Sequence, residues 1–202
     1  MSWLTHSAPS SPLACAAYVM LAMSLAATVH LAWLRSSAST GFRAPIDGAR
    51  TWRGRRLFGD NKQWRGLMAL PPAAAFAFVA VEQALRAWWP QVHANLWPMS
   101  SSLYAVAGAS CGLAFMAAEL PNSFLKRQLG VAPGQPAGKR WQRLLCNVAD
   151  RFDSVTGLVL MLWLLVPLPA AALNWFRILW ACRCSARWEP STIRRARERD
   201  AL

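Results

Sequence analysis

Long uncharged runs alternate with polar stretches along this chain. Residues 13–34, 96–118 and 155–176 hold no charged side chain, and each is about the ~20 residues a helix needs to cross a ~30 Å hydrocarbon layer. The stretch 67–89 has the same character, interrupted by Glu82 and Arg86, whose spacing of four predicts a pair along one helix face. Pro167 and Pro169 divide the last apolar region, which therefore reads as a broken hairpin of two thin helices. The pattern predicts an all-α polytopic membrane protein that forms a single domain over 1–202. Five transmembrane helices are expected, with four as the alternative, at about 13–34, 67–89, 96–118, 155–168 and 170–184. Two polar loops, 35–66 and 119–154, are left between them.

Composition supports that reading. With 55% hydrophobic and 15% charged residues, the chain is too apolar for an ordinary soluble fold. The formal net charge of +13 gathers in the loops: Arg35, Arg43, Arg50, Arg53, Arg55, Arg56, Lys62 and Arg65 in the first, Lys126, Arg127, Lys139, Arg140, Arg143 and Arg151 in the second. The first dozen residues and 90–95 carry no Lys or Arg. Under the positive-inside rule the N-terminus faces out and both loops face the cytoplasm, and a fifth crossing returns the Arg-rich tail to the same side. The basic residues form no nucleic-acid-binding motif, so no nucleic acid is expected as partner. The N-terminal segment lacks the positive flank of a cleaved signal and is expected to be a retained anchor. The five cysteines are odd in number and unpaired in spacing, so free thiols are expected, and the three histidines are too scattered to share a metal.

Three polar clusters stand at the loop ends of the spans. The first, Gly59-Asp60-Asn61-Lys62-Gln63-Trp64-Arg65-Gly66, sets an acid able to hold a cation two residues from a Lys, between glycines that let backbone approach a ligand. The second, Glu119-Leu120-Pro121-Asn122-Ser123-Phe124-Leu125-Lys126-Arg127, offers Asn122 and Ser123 as caps of a helix start, whose free N–H groups suit an anion, with two cations one turn on. The third is Asp150-Arg151-Phe152-Asp153-Ser154. On a helix its two carboxylates lie about 60° apart on one face, where they can share a hard cation. Acids beside cations in this pattern suit a polyphosphate ligand. Basic flanks touching anionic lipid head groups are the blander account of the same residues.

Taken together, these segments resemble the CDP-archaeol synthases and, beyond them, the CTP:phosphatidate cytidylyltransferases that make CDP-diacylglycerol. Arg56-Leu57-Phe58-Gly59-Asp60-Asn61-Lys62-Gln63-Trp64-Arg65-Gly66 is similar to the family's GDxKTxRG loop. Asn122-Ser123-Phe124-Leu125-Lys126-Arg127, followed by Pro133-Gly134, resembles its NSFxKR and PG elements. Asp150-Arg151-Phe152-Asp153-Ser154 resembles the DRxDS end of the cytidylyltransferase signature. The likeness runs in order through residues 45–166. Asn61 stands where the archaeal enzymes usually have Gly, Gln63 stands where Thr is usual, and the likeness ends after Phe176.

The resemblance implies a Mg²⁺-dependent enzyme that joins CTP to a lipid phosphate and releases pyrophosphate. It implies Asp150 and Asp153, with Asp60 as a third oxygen donor, as ligands of Mg²⁺. Lys126 and Arg127, with Lys62, would neutralise the triphosphate, Asn122 and Ser123 would orient it, and Gly59 would let the backbone approach. Arg65 or Arg151 would hold the lipid phosphate. The expected setting is the cell membrane, with the site facing the cytoplasm and a homodimer as the assembly left open. A non-catalytic membrane protein whose basic loops bind anionic lipid or a partner is the alternative. A transporter is disfavoured, since few polar groups fall near the bilayer midplane.

Overall fold

The computed structural model describes residues 9, 11–132 and 140–167, with side chains throughout except at 140, 142–145, 147 and 149–151. Helix α1, Pro12–Arg35, begins where local chemistry favours a start. Ser11 accepts the Ala14 N–H at 3.3 Å, and Pro12 occupies the first turn. A short 3-10 turn at Ser37–Phe42 leads to a two-stranded hairpin, β1 at Thr51–Trp52 and β2 at Arg55–Arg56. Helix α2 follows at Trp64–Trp88, the short α3 at Pro90–His93, α4 at Ser101–Gln128 and α5 at Arg140–Leu165.

Helices α1, α2 and α4 are long and apolar enough to cross a membrane, and Phe152–Leu165 of α5 is a shorter apolar stretch. This agrees with an all-α membrane protein. The expected fifth span, 170–184, lies outside the described residues.

Helix α4 is the centre of the bundle, packed against α2 on one side and α5 on the other, while α1 packs against α2. Small residues make these approaches possible. A Cβ at Gly108 would stand 2.5 Å from the Ala74 carbonyl oxygen, and one at Gly112 would stand 2.9 Å from that of Leu70. At Gly157 on α5 it would meet the Ala114 carbonyl oxygen and the Ala118 Cβ, both at 2.5 Å. Glycines four apart let two backbones close within a membrane, where no hydrophobic effect drives helices together. At the end of the bundle remote from the two long loops, Tyr18 donates to the Phe78 carbonyl and Tyr104 to that of Trp97, each at 2.7 Å.

Three expectations change. Helix α4 starts at Ser101 rather than 96, because Pro98 interrupts the approach and buried Leu96 and Trp97 pack as a loop against the core. The stretch 119–154 is mostly helix: α4 continues to Gln128 and α5 begins at Arg140. Lys126 and Arg127 suit the negative end of the α4 dipole. Its stop is a Schellman turn in which Gly130, at φ +77°, donates to the Arg127 carbonyl and Val131 to that of Lys126. Asn122 and Ser123 therefore lie inside α4, not at a helix start. Finally, Glu82, 1% exposed, turns to His93 Nε2 at 3.1 Å and Ser101 Oγ at 2.9 Å, while Arg86 is exposed. A buried carboxylate takes the half-buried partners that the packed chain brings beside it over an exposed arginine.

Gly108→Ala should cost about 1–3 kcal/mol through overpacking against the α2 backbone. Gly41→Ala, with nothing within 4 Å of the added atom, should be near neutral. Thermal unfolding in detergent compares the two, and equal midpoints would show that the α2–α4 seam has room to spare.

Candidate active site

The site begins with a carboxylate that folds the first loop. Asp47 is buried and accepts from Arg56 through Nη2 at 2.8 Å and Nε at 3.3 Å, and from the Ala49, Phe58 and Gly59 N–H groups at 3.1 Å each. Burial alone would raise its pKa, but the Arg56 guanidinium and the three N–H groups outweigh it and hold the carboxyl well below the usual carboxylate range. The loop is closed at its base where Pro45 pairs with Gln63, with Ile46 N–H on the Lys62 carbonyl and Trp64 N–H on that of Ala44. Its tip is a two-residue hairpin turn with Arg53 at φ +53° and Gly54 at φ +75°. Asp60 is exposed at Arg56 Nη2, 3.0 Å away.

The three clusters then meet at one end of the bundle. Lys62 forms an ion pair with Glu119 of α4. Ser154 Oγ of α5 lies 2.9 Å from Glu119 Oε1 and 3.1 Å from Asp153 Oδ1. Asn122 Nδ2 donates to Asp153 Oδ2 at 2.8 Å, and the Ser154 N–H donates to Asp153 Oδ1 at 2.6 Å. One continuous polar network thus joins the loop before α2, the end of α4 and the middle of α5.

Near it, an open pocket of about 330 Å³ is lined by Arg55, Arg56, Gly59, Asp60, Arg127 and the Gly130 turn. Arg55 reaches across to the Gln128 carbonyl, which ties the hairpin to the end of α4. Arg127 donates to the Val131 carbonyl through Nη1, while its Nε is buried with no hydrogen-bond partner. Three guanidinium groups around a concave, glycine-edged space suit an anion.

Of the residues expected from sequence, Lys62, Asn122 and Asp153 join the network, and Gly59, Asp60 and Arg127 line the pocket. Lys126 precedes Arg127 in the last turn of α4, Ser123 is buried on the same helix, and Arg65 stands in the first turn of α2. Asp150 and Arg151 lie on α5 one turn before Ser154, their side chains outside those described. Among the described residues no three His, Cys, Asp or Glu side chains gather as a metal site. Among the described residues, the carboxylate that shares the Ser154 hydroxyl with Asp153 is that of Glu119, while Asp60 turns to Arg56.

Sequence reasoning placed Glu119, Ser154 and Arg56 within its motifs and Arg55 among the loop cations without giving any of them a role at the site, and it passed over Asp47. For Glu119 a signal existed: it precedes Asn122 by three and shares its helix face. Asp47-Gly48 carries a turn signal, but nothing local marks its partners nine to twelve residues on.

Comparison with known proteins finds several similar chains. The CDP-archaeol synthase of Pyrococcus furiosus is 34% identical over 134 residues, covering 63% of this chain and 74% of the relative. That of Methanosphaerula palustris is 34% identical over 131 residues, covering 63% and 68%. The CDP-archaeol synthase of Halobacterium salinarum is 32% identical over 123 residues, covering 61% of each. A solved structure of an intramembrane enzyme for archaeal membrane lipid biosynthesis shares the fold at a TM-score of 0.52 and 24% identity, covering 85% of this chain and 91% of that one. No protein-family model matches.

Asp47→Asn should loosen the loop, since Arg56 loses its buried counter-charge and keeps only the exposed Asp60. Because the folded pKa is depressed, the stabilisation is complete above the ordinary carboxylate value of about 4 and is lost as pH falls through the folded value. Tryptic cleavage at Arg50 and Arg53, taken relative to that of an unstructured arginine peptide at the same pH, should therefore be equally slow at pH 5 and pH 7 in the wild type and faster at both in the variant. A wild-type loop that opened between those two pH values would contradict this.

Proposed function

This chain belongs to the CDP-archaeol synthase family, and on that premise we propose that it transfers a cytidylyl group from CTP to a membrane lipid phosphate. The products are a CDP-lipid and pyrophosphate. The acceptor is a lipid phosphate of the archaeal ether type or phosphatidate, and the site faces the cytoplasm, where the basic loops are expected. The observation that carries this reading is the junction of the three polar clusters in one network beside a pocket lined by three arginines.

The chemistry asks for charge neutralisation more than for a base. An oxygen of the lipid phosphate attacks the α-phosphorus of CTP and pyrophosphate leaves. A phosphate monoester has its second pKa at about 6, so the nucleophile is already ionised at neutral pH. What opposes the reaction is repulsion between two anions. Arg55, Arg56 and Arg127, with Lys126 beside them, neutralise the triphosphate and the departing pyrophosphate. Lys62, paired with Glu119, would exchange that carboxylate for a phosphate of the bound nucleotide. Arg65 and Arg151 are the candidates for holding the lipid phosphate.

The donor set suits a hard divalent cation. Asp153 and Glu119 converge on one hydroxyl, Asp150 lies on the same helix as Asp153, and all offer oxygen. Glu119 thus replaces Asp60 as the third donor in this reading. Mg²⁺ held there would supply positive charge and alignment at the α-phosphate of the transferred cytidylyl group. Asn122 fixes Asp153 by hydrogen bond, and Ser154 fixes both carboxylates.

Purified protein with labelled CTP, Mg²⁺ and a panel of lipid phosphates should yield a labelled CDP-lipid. Asp153→Asn should lower that activity by about a hundredfold or more while membrane insertion is unchanged. If no lipid phosphate in the panel were cytidylylated, the chain would be read as a lipid-binding membrane protein without catalysis.

A further inference from the structure

The groups assigned so far meet the phosphates, the metal and the lipid, and leave the flat, uncharged base of the nucleotide without a partner. An aromatic surface stands nearby. Trp52 pairs directly with Arg55 across the β1–β2 hairpin, and directly opposed residues in an antiparallel pair present their side chains on the same face, with Cβ atoms about 5 Å apart. Arg55 lines the pocket. Trp52 thus stands directly across the hairpin from a pocket-lining arginine, just outside the lining itself.

Trp52 is 56% exposed, so most of its ring surface has no protein cover. The backbone that carries it is well defined. The left-handed pair Arg53 and Gly54 sets the tip, Arg56 is held by buried Asp47, and Arg55 is tied to the Gln128 carbonyl. An exposed aromatic ring carried on a fixed hairpin beside an anion pocket suits stacking on a nucleobase, since every base has a π-face. A hairpin fixed before binding leaves only the side chain to be ordered when the ligand arrives.

We propose that Trp52 is the platform on which the base of the bound nucleotide stacks, an assignment that rests on the CTP reading above. Stacking supplies affinity for the nucleoside part and little choice among bases. It also distinguishes the tryptophan from a residue that merely anchors the hairpin at the membrane interface, whose loss would not separate a nucleotide from its bare phosphates.

The test uses the full chain in detergent with Mg²⁺ and measures equilibrium binding of CTP and of inorganic tripolyphosphate, which has the charge but no base. Trp52→Ala should weaken CTP binding about tenfold and leave tripolyphosphate binding unchanged, and Trp52→Phe should keep most of the CTP affinity. If Trp52→Ala left CTP binding unaltered, or weakened both ligands equally, the platform would be refuted. If the wild type bound tripolyphosphate but not CTP, the platform and the nucleotide reading would fall together. If it bound both and only the platform variant behaved as wild type, the nucleotide reading would survive alone.

Discussion

The Glu119 carboxylate carries the tie on which the site depends. It stands on α4, receives Lys62 from the loop before α2, and meets Ser154 from α5. A carboxylate near a membrane boundary is costly when unpaired, and so is a half-buried ammonium. The side chains of Lys62 and Glu119 are 21% and 24% exposed, so each lowers the cost of the other. Because Ser154 also touches Asp153, and Asp153 accepts from Asn122, the same tie sets how α5 is turned about its own axis.

That tie closes because the helices stand unusually near one another. Gly157 lies three residues beyond Ser154 and so on the same face of α5, where it packs on Ala114 and Ala118 of α4. Ala118 is the neighbour of Glu119. A larger side chain at either point would push α5 outward and draw Ser154 from its partner. On the other side of α4, Gly108 and Gly112 bring α2 close, and α2 carries the loop with Lys62 at its head. Small residues in the apolar half of the bundle thus set distances in the polar half.

The first loop is organised by a separate buried charge. Asp47 gathers Arg56 and three backbone N–H groups, which turns a stretch of basic residues into a fixed hairpin over the end of α4. The arginines it presents share one pocket with Arg127. Repulsion among them is moderated by Asp47 and Asp60, both paired with Arg56. An anionic ligand entering the pocket would meet charge already aligned, with little reorganisation left to do.

Hydropathy alone was enough for the membrane class and for α1 and α2 to within a few residues, because a run of apolar side chains is a local property that the bilayer reads directly. The three polar clusters were legible too, as was the family they belong to, since Lys62, Asn122 and Asp153 sit in short contiguous strings. Only the tertiary structure decided that the stretch 119–128 is a continuation of α4, where a helix end takes Lys126 and Arg127 favourably. It alone paired Glu82 with His93 and Ser101 rather than with its near neighbour Arg86, and joined Glu119 to both Lys62 and Ser154. These contacts link residues 11 to 57 positions apart. A buried charge chooses its partner by what the packed helices bring within reach, and spacing along the chain carries no record of that choice.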